Sequence, residues 1–251
     1  MNKYEHMKIA LLGYGKMGQE IEKLALKRGH DIVLALDNLE DWENDGDRLS
    51  EAEVAIDFST PVSIVENIYH CFDANVPIVV GTTGWLDDLD QIRHDCHERK
   101  QSLFFSPNYS IGVNLFFDLN RYLAELMSKW ENYAISIEET HHIHKQDSPS
   151  GTAIVLANDI IRHSERKEKW VHETVENPEE LGIKSYRTDN VPGTHVVRYE
   201  SEEDNIEIIH TAKSRRGFAM GAIMAAEWLG GKKGFFDMKN LLESQILSKE
   251  G

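Results

Sequence analysis

The chain is short of cysteine, of long apolar runs and of positive charge. Its 251 residues include two cysteines, Cys71 and Cys96, which form no CxxC pair and no Cys/His metal spacing. That excludes a disulfide scaffold and a thiolate metal cluster, and it fits reduced thiols in a reducing compartment. No apolar run approaches the roughly 18 residues of a membrane span. The opening MNKYEHMKIALLG carries an acidic residue ahead of a short apolar run and no small-residue cleavage site, so no signal peptide is expected. The expected setting is therefore cytoplasmic, with no membrane partner. Lys plus Arg is 27 against 43 Asp plus Glu, a net charge of −16. Such a chain is poorly suited to nucleic acid, whose binding depends on cationic neutralisation of phosphates. An anionic substrate would need a local cationic site working against the global field.

What is present is an alternation of apolar runs and amphipathic stretches. Met7–Leu12 is continuous and apolar, as in a strand covered on both faces. Met17–Lys27 has helical spacing, and further strands are predicted at Asp31–Leu36, Val54–Phe58, Pro77–Val80 and Leu103–Phe105. Helices are predicted over Val62–Ala74 and Leu86–Lys100. Asn38–Glu53 is acidic and weakly patterned, and reads as mostly loop. This rhythm predicts βαβ units and a doubly wound parallel sheet. After Asn108 the texture changes. A long helix is predicted over Gly112–Lys129, a two-sided strand over Tyr133–Thr140 and a capped helix over Ser150–His163. Lys167–Asn190 reads as polar and irregular. Val196–Ser201 and Ile206–Thr211 read as a hairpin, and Phe218–Leu229 and Met238–Leu247 as helices. The fold class is thus α/β. A Rossmann-like dinucleotide-binding domain covers residues 1–108, with 214–251 returning to it, and an α+β domain for substrate and oligomerisation covers 109–213.

Four places carry chemistry. Gly13-Tyr14-Gly15-Lys16-Met17-Gly18 follows a strand and opens a helix, and Asp37 ends the next strand 19 residues beyond Gly18. Glycines there let the backbone approach a pyrophosphate, the helix N-terminus supplies unpaired N–H groups, and Asp37 suits ribose hydroxyls. Asn38 gives Asp37 no neighbouring cation. That favours NADH, while Lys16 leaves NADPH open. The second place is Gly81-Thr82-Thr83-Gly84, after the fourth strand, with Ser106-Pro107-Asn108-Tyr109 at the same sheet edge, where ligands of open α/β sheets lie. The third is Glu139-Thr140-His141-His142-Ile143-His144-Lys145-Gln146-Asp147-Ser148-Pro149-Ser150-Gly151-Thr152, which holds three of the 12 histidines. A metal is not expected there, because Lys145 repels a cation and no carboxylate clearly completes a shell. A proton-transferring pocket for a small dicarboxylate fits better. The fourth is Lys213–Phe218, in which Arg215 could bridge the two domains.

GYGKMG, GTTG, SPNYSIGVN, ETHHIHKQDSPSGTA and KSRRGFAMGA, in that order along nearly the whole chain, resemble the 4-hydroxy-tetrahydrodipicolinate reductase (dihydrodipicolinate reductase) family of lysine biosynthesis through diaminopimelate. The resemblance implies an NAD(P)H-dependent reductase acting at C4 of a dihydropyridine-type ring, and a homotetramer. It implies His141 as the acid/base histidine and Lys145 as the proton-donating lysine. It also implies substrate contacts at His142, Gly151 and Thr152. Cofactor contacts follow at Leu12, Gly13, Tyr14, Gly15, Lys16, Met17, Asp37, Gly81, Thr82, Thr83, Ser106, Pro107, Asn108 and Tyr109. Three departures stand out. Leu12 replaces the loop's usual first glycine, Asn38 replaces a common Arg or Lys, and Gly193-Thr194-His195 stands where Gly-Glu-His is usual, in a stretch, Lys184–His195, that looks shortened. Two alternatives remain. One is another two-domain nicotinamide-dependent dehydrogenase acting on a small dicarboxylate. If its substrate were an aspartate-derived aldehyde it would need a cysteine in an exposed turn, which neither cysteine provides. The other is a non-catalytic dinucleotide sensor, which has no use for HHxHK.

Overall fold

A computed structural model describes residues 6–247. The chain divides into two compact units, the first running to Ile111 and resuming at Arg216, the second spanning Gly112–Arg215.

The first unit is built on six parallel strands in the order β11-β5-β4-β3-β1-β2. The strands are β1 (Lys8–Leu12), β2 (Asp31–Leu36), β3 (Val54–Asp57), β4 (Ile78–Val80), β5 (Ser102–Phe105) and β11 (Gly234–Phe236). The apolar runs are unbroken because both faces are covered. Ala10 and Leu12 point into one core and Ile9 and Leu11 into the other, the period of two that a pleated strand imposes. Helices α3 (Ile64–Asp73) and α4 (Leu89–Glu98) supply the first core. Helices α1 (Lys16–Arg28), α7 (Arg216–Leu229) and α8 (Met238–Leu247) supply the second. Ala219, Ala222, Ile223, Ala225, Ala226 and Leu229 of α7 are buried on that face. The C-terminal segment therefore completes the cover of a sheet face that α1 alone covers only in part, and a buried Ile or Leu there contributes roughly 1.5–3 kcal/mol.

Two features of this unit depart from the sequence reading. Asn38–Glu53 is not mostly loop: it forms helix α2 (Leu39–Asp45) and a 3₁₀ turn (Gly46–Glu51). Its start is a capping box, in which Asn38 Oδ1 accepts from Asp41 N at 3.1 Å and the Asp41 carboxylate accepts from Asn38 N at 3.3 Å. With no buried residue in α2, apolar periodicity had nothing to show. The second feature is β11, a three-residue strand too short for a pattern, which pairs with β5.

The second unit is a five-stranded mixed sheet in the order β10-β9-β6-β8-β7. It comprises β6 (Ala134–His141), β7 (Lys169–His172), β8 (Glu180–Arg187), β9 (Gly193–Glu200) and β10 (Asn205–Ala212), with helices α5 (Ile111–Met127) and α6 (Gly151–His163). The stretch Lys167–Asn190, expected to be irregular, contains β7 and β8. Leu181 and Ile183 of β8 are buried in the core of this unit. Polar alternation along Lys184–Arg187 concealed the strand. β9 and β10 form the expected hairpin, with Glu200 opposite Asn205. Ser150 caps α6, its hydroxyl accepting from Ala153 N at 3.2 Å.

Candidate active site

The glycine loop of the first unit joins β1 to α1. Gly13 has φ +88°, and an added Cβ would strike the Phe58 carbonyl carbon at 2.6 Å, so this position needs glycine for the fold alone. A Cβ on Gly18 would collide with the Gly13 carbonyl oxygen. Gly15 differs, with no protein atom within 4 Å of an added Cβ. It leads α1, whose first turn has no side-chain cap and no acidic residue. Free N–H donors behind an open glycine are what a pyrophosphate requires. Lys16 is exposed beside them and Met17 is half-buried; Leu12 is buried in the strand. Asp37 is exposed at the end of β2, and its carboxylate accepts from Tyr14 N at 2.5 Å. A cavity of about 380 Å³ runs from Gly13 and Gly15 past Asp37 and Asn38 to Glu66 and His70. These residues fit a dinucleotide.

Along the same sheet edge the side chains do other work. Thr82 is buried and its hydroxyl donates to Asp57 Oδ1 at 2.6 Å, while Thr83 is exposed. An added Cβ on Gly81 would run into the Phe58 ring. Ser106 Oγ donates to the Asn108 carbonyl at 2.8 Å, and Asn108 Oδ1 accepts from Ser110 N at 2.9 Å, which fixes the turn around the exposed Pro107. The Tyr109 ring is buried and its hydroxyl donates to the Val80 carbonyl at 2.8 Å. Sequence reading passed over Asp57. It is fully buried at the end of β3 and accepts from Ser59, Asn67 and Thr82. Burial pushes its carboxyl up from the ordinary value against those hydrogen bonds.

In the second unit, β6 runs one residue beyond the predicted strand. Its buried face then reads Ile137, Glu139, His141: an apolar anchor followed by an acid and a base. His141 Nδ1 is hydrogen bonded to Glu139 Oε2. Burial opposes ionisation of Glu139, but the hydrogen bonds with His141 and Arg187, helped by the neighbouring Ser185, outweigh it and hold the carboxyl down to about 2. An ionised carboxylate only accepts, so Nδ1 of His141 carries the proton and Nε2 is left for acid/base work. His195, opposite Glu139 on β9, is buried, and its Nε2 lies 3.0 Å from Ser150 Oγ. Burial, then the nearby His141, holds His195 down to about 3. Strand alternation already sets Glu139 on the face of Ile137, and one residue further it adds His141. His195 stood out only within Gly193-Thr194-His195, and Arg187 gave no local signal.

Lys145 follows in the turn after β6, its Nζ 2.7 Å from Asp147 Oδ1. The backbone N–H of Gly151, the first residue of α6, also favours the ionised Asp147 carboxylate. Burial raises this carboxyl and Lys145 brings it below its ordinary value. Gly151 is exposed with open space at its Cα, Thr152 is half-buried, and His142 Nδ1 is buried without a protein partner. Arg215 is exposed in the turn before α7.

A carboxylate does stand beside the histidines: Glu139, His141 and His195 offer ligand atoms within 4.8 Å of one another. This corrects the expectation that none would complete a shell. Arg187 Nη1 nevertheless lies 3.0 Å from Glu139 Oε1. A guanidinium on the would-be ligand opposes a second cation.

A doubly wound unit with an open glycine loop, together with a sheet unit holding a histidine–carboxylate pair and a lysine, defines a nicotinamide-dependent oxidoreductase. The family profile described as dihydrodipicolinate reductase, N-terminus, matches residues 7–109, and its C-terminus counterpart matches 112–242. The chain is 49% identical over 236 residues to a 4-hydroxy-tetrahydrodipicolinate reductase of Christiangramia forsetii, covering 94% of this chain and 98% of that one. It is 35% identical over 261 residues to the Archaeoglobus fulgidus protein of the same name, covering 94% and 100%. A solved dipicolinate-bound dihydrodipicolinate reductase from Paenisporosarcina sp. shares the fold, with a TM-score of 0.72 at 23% identity over 93% of this chain and 98% of that one. The chain belongs to the dihydrodipicolinate reductase family.

Proposed function

We propose that this protein reduces 4-hydroxy-tetrahydrodipicolinate to tetrahydrodipicolinate in the diaminopimelate branch of lysine biosynthesis. The observation that carries the substrate reading is that Lys145 Nζ, close to the open N-terminus of α6 at Gly151, already holds a carboxylate, that of Asp147. A dicarboxylate needs that combination of fixed charge and helix N-terminus.

Loss of the ring hydroxyl as water leaves a conjugated imine. A nicotinamide cofactor held at the glycine loop would supply the hydride that C4 takes up. The electron pair pushed onward needs a proton, and that role is assigned to His141 and Lys145. Glu139 keeps Nδ1 of His141 protonated, so delivery falls to Nε2. His142, Gly151 and Thr152 border the carboxylate position. The glycine loop, Asp37 and the turns at Gly81–Thr83 and Ser106–Tyr109 are assigned to the cofactor. For Thr82 and Tyr109, whose side chains are engaged internally, that role falls to the backbone. Arg215 is assigned to the cofactor as well.

NADH should serve at least as well as NADPH. Among the described residues, the cavity beside Asp37 is lined by a second carboxylate, Glu66, and by no Lys or Arg. A 2′-phosphate would meet repulsion there. The assay is loss of nicotinamide absorbance on adding substrate, with kcat/KM compared for the two cofactors at low salt. No absorbance loss with either cofactor would remove the reductase reading. A preference for NADPH above about tenfold, roughly 1.4 kcal/mol, would remove the cofactor reading alone.

The assembly reading is a cytoplasmic homotetramer. Leu115, Leu119, Tyr122, Leu126 and Trp130 are large, exposed and spaced along one stripe of α5 and its end. On the edge strand β10, Ile206 and Ile209 are exposed too. Light scattering that returned a monomer at micromolar concentration would contradict it. Both cysteines are free and buried, in keeping with a reducing compartment.

A further inference from the structure

We propose that Arg187 is a positioning residue that ties the His141 acid/base pair to the loop carrying Lys145. The inference rests on the reading above, in which His141 and Lys145 deliver the proton. Arg187 ends β8 directly opposite His141 in the parallel register, and Thr188 N donates to the His141 carbonyl at 2.8 Å. Its guanidinium then divides between two partners. Nη1 donates to Glu139 Oε1 at 3.0 Å and to the Tyr186 carbonyl at 2.8 Å, and Nη2 donates to the Asp147 carbonyl at 2.7 Å. One arm of the fork therefore holds the carboxylate that orients His141. The other holds the backbone of the residue whose carboxylate engages Lys145.

Two physical consequences follow. The first concerns charge. Facing Glu139 are His141 on its own strand, Ser185 and Arg187 on β8, and His195 on β9. His195 is neutral near pH 7, because burial and then the nearby His141 hold it down to about 3. Arg187 is thus the cation whose charge does not depend on pH. Removing it lets Glu139 take up a proton at a higher pH, and a protonated Glu139 no longer enforces the Nδ1–H form of His141. The second concerns geometry. A planar fork spans both partners, whereas a lysine ammonium is a single point that reaches one. Charge and tether are therefore separable by substitution.

The test compares Arg187→Gln, Arg187→Lys and the unaltered enzyme in steady-state kinetics from pH 5 to 9. It adds ¹⁵N–¹H NMR of the His141 ring, which does not depend on turnover. Arg187→Gln should shift the acid limb of kcat to higher pH, raise KM and lower kcat by up to roughly 100-fold through misplacement of the reacting groups. Arg187→Lys should bring the acid limb back while KM stays raised. In the NMR experiment the neutral ring of the unaltered protein should carry its proton on Nδ1, and in Arg187→Gln, where Glu139 is held less firmly, a larger share should carry it on Nε2. A purely structural role would lower kcat with the folded fraction and leave KM, the acid limb and the tautomer unmoved, which would overturn the proposal. An inactive unaltered enzyme would remove the reductase reading, while the NMR comparison would still decide the role of Arg187. If Arg187→Gln failed to fold, Glu139→Gln would take its place. It cuts the charge arm only, so kcat should fall with KM unchanged, and a KM raised as in Arg187→Lys would sink the two-arm assignment.

Discussion

The two units solve their binding problems with different material. The first presents backbone: N–H groups at the head of α1, exposed because Gly15 puts nothing in front of them, with a lone carboxylate at the end of β2. The second presents buried side chains: Glu139, His141 and His195 within one cluster, with Arg187 and Lys145 at its margin. A backbone site can be specified locally, since a few glycines and a helix start suffice. A side-chain site depends on which strands are neighbours. The contrast shows why fingerprints of nucleotide sites survive in sequence and why the supports of a catalytic histidine do not.

The contrast breaks most sharply if His141→Gln proves harmless. The expected loss is roughly 10²–10⁴-fold in kcat, the usual worth of a positioned acid, with NADH affinity by calorimetry unchanged. Lys145→Ala should cost a similar factor and also raise KM, because a fixed charge facing a carboxylate disappears. Wild-type kcat in both variants from pH 6 to 9 would leave this loop a binding element only.

Next in size is a pair of glycine variants that separates fold from ligand within the first unit. Gly13→Ala should lower the melting temperature by several degrees, since the backbone is left-handed and the Phe58 carbonyl lies in the way. Gly15→Val should leave melting nearly unchanged and abolish dinucleotide binding. Equal effects of the two on melting would show that Gly15 too is needed by the fold.

Acid sharpens the comparison further, because the buried groups of the two units titrate with opposite sign. His195 has a folded value of about 3 against an ordinary 6.5, so the unfolded chain binds its proton first and stability falls from pH 6.5 toward 3. Glu139, at about 2 against 4.5, adds a loss between 4.5 and 2. Asp57 in the first unit is raised, so its contribution is fully present below its ordinary value of 3.8 and is lost as pH rises through the folded one. Hydrogen exchange at pH 7 and pH 4.5 should show β6 and β9 losing protection while β3 and β4 keep theirs. Uniform loss would mean that the two units respond to acid alike.

The smallest effect concerns the segment that sequence patterning left as loop. Asn38→Ala removes the cap of α2 and should cost about 1 kcal/mol in chemical denaturation. For the same reason Asn38→Arg, which should shift the cofactor ratio toward NADPH, carries a stability cost of its own. A cost near zero for Asn38→Ala would mean that the box does not hold α2.

How far the site could be read from sequence varied residue by residue. His141, Lys145 and Gly151 were legible because they sit in one short run of unusual composition. Glu139 was half legible: alternation along the strand predicted over Tyr133–Thr140 sets it on the face of Ile135 and Ile137, but does not show its contact with Arg187. Arg187 was not legible. It lies 48 residues from Glu139, in a stretch whose polar surface alternation hid β8. Thr82 and Tyr109 were legible as a sheet-edge turn, but the engagement of their side chains in the interior was not.

The sequence by itself determined the doubly wound first unit, the glycine loop and the position of the histidine–lysine run, because each follows from periodicity or backbone freedom over a dozen neighbouring residues. Only the tertiary structure decided that β8 and β9 flank β6. That order sets Ser185 and His195 opposite Glu139 and Arg187 opposite His141. The physical reason is that strand order and register are fixed by burial of the whole sheet face, a sum over residues far apart in the chain, and the charges at the strand ends go where that sum carries them.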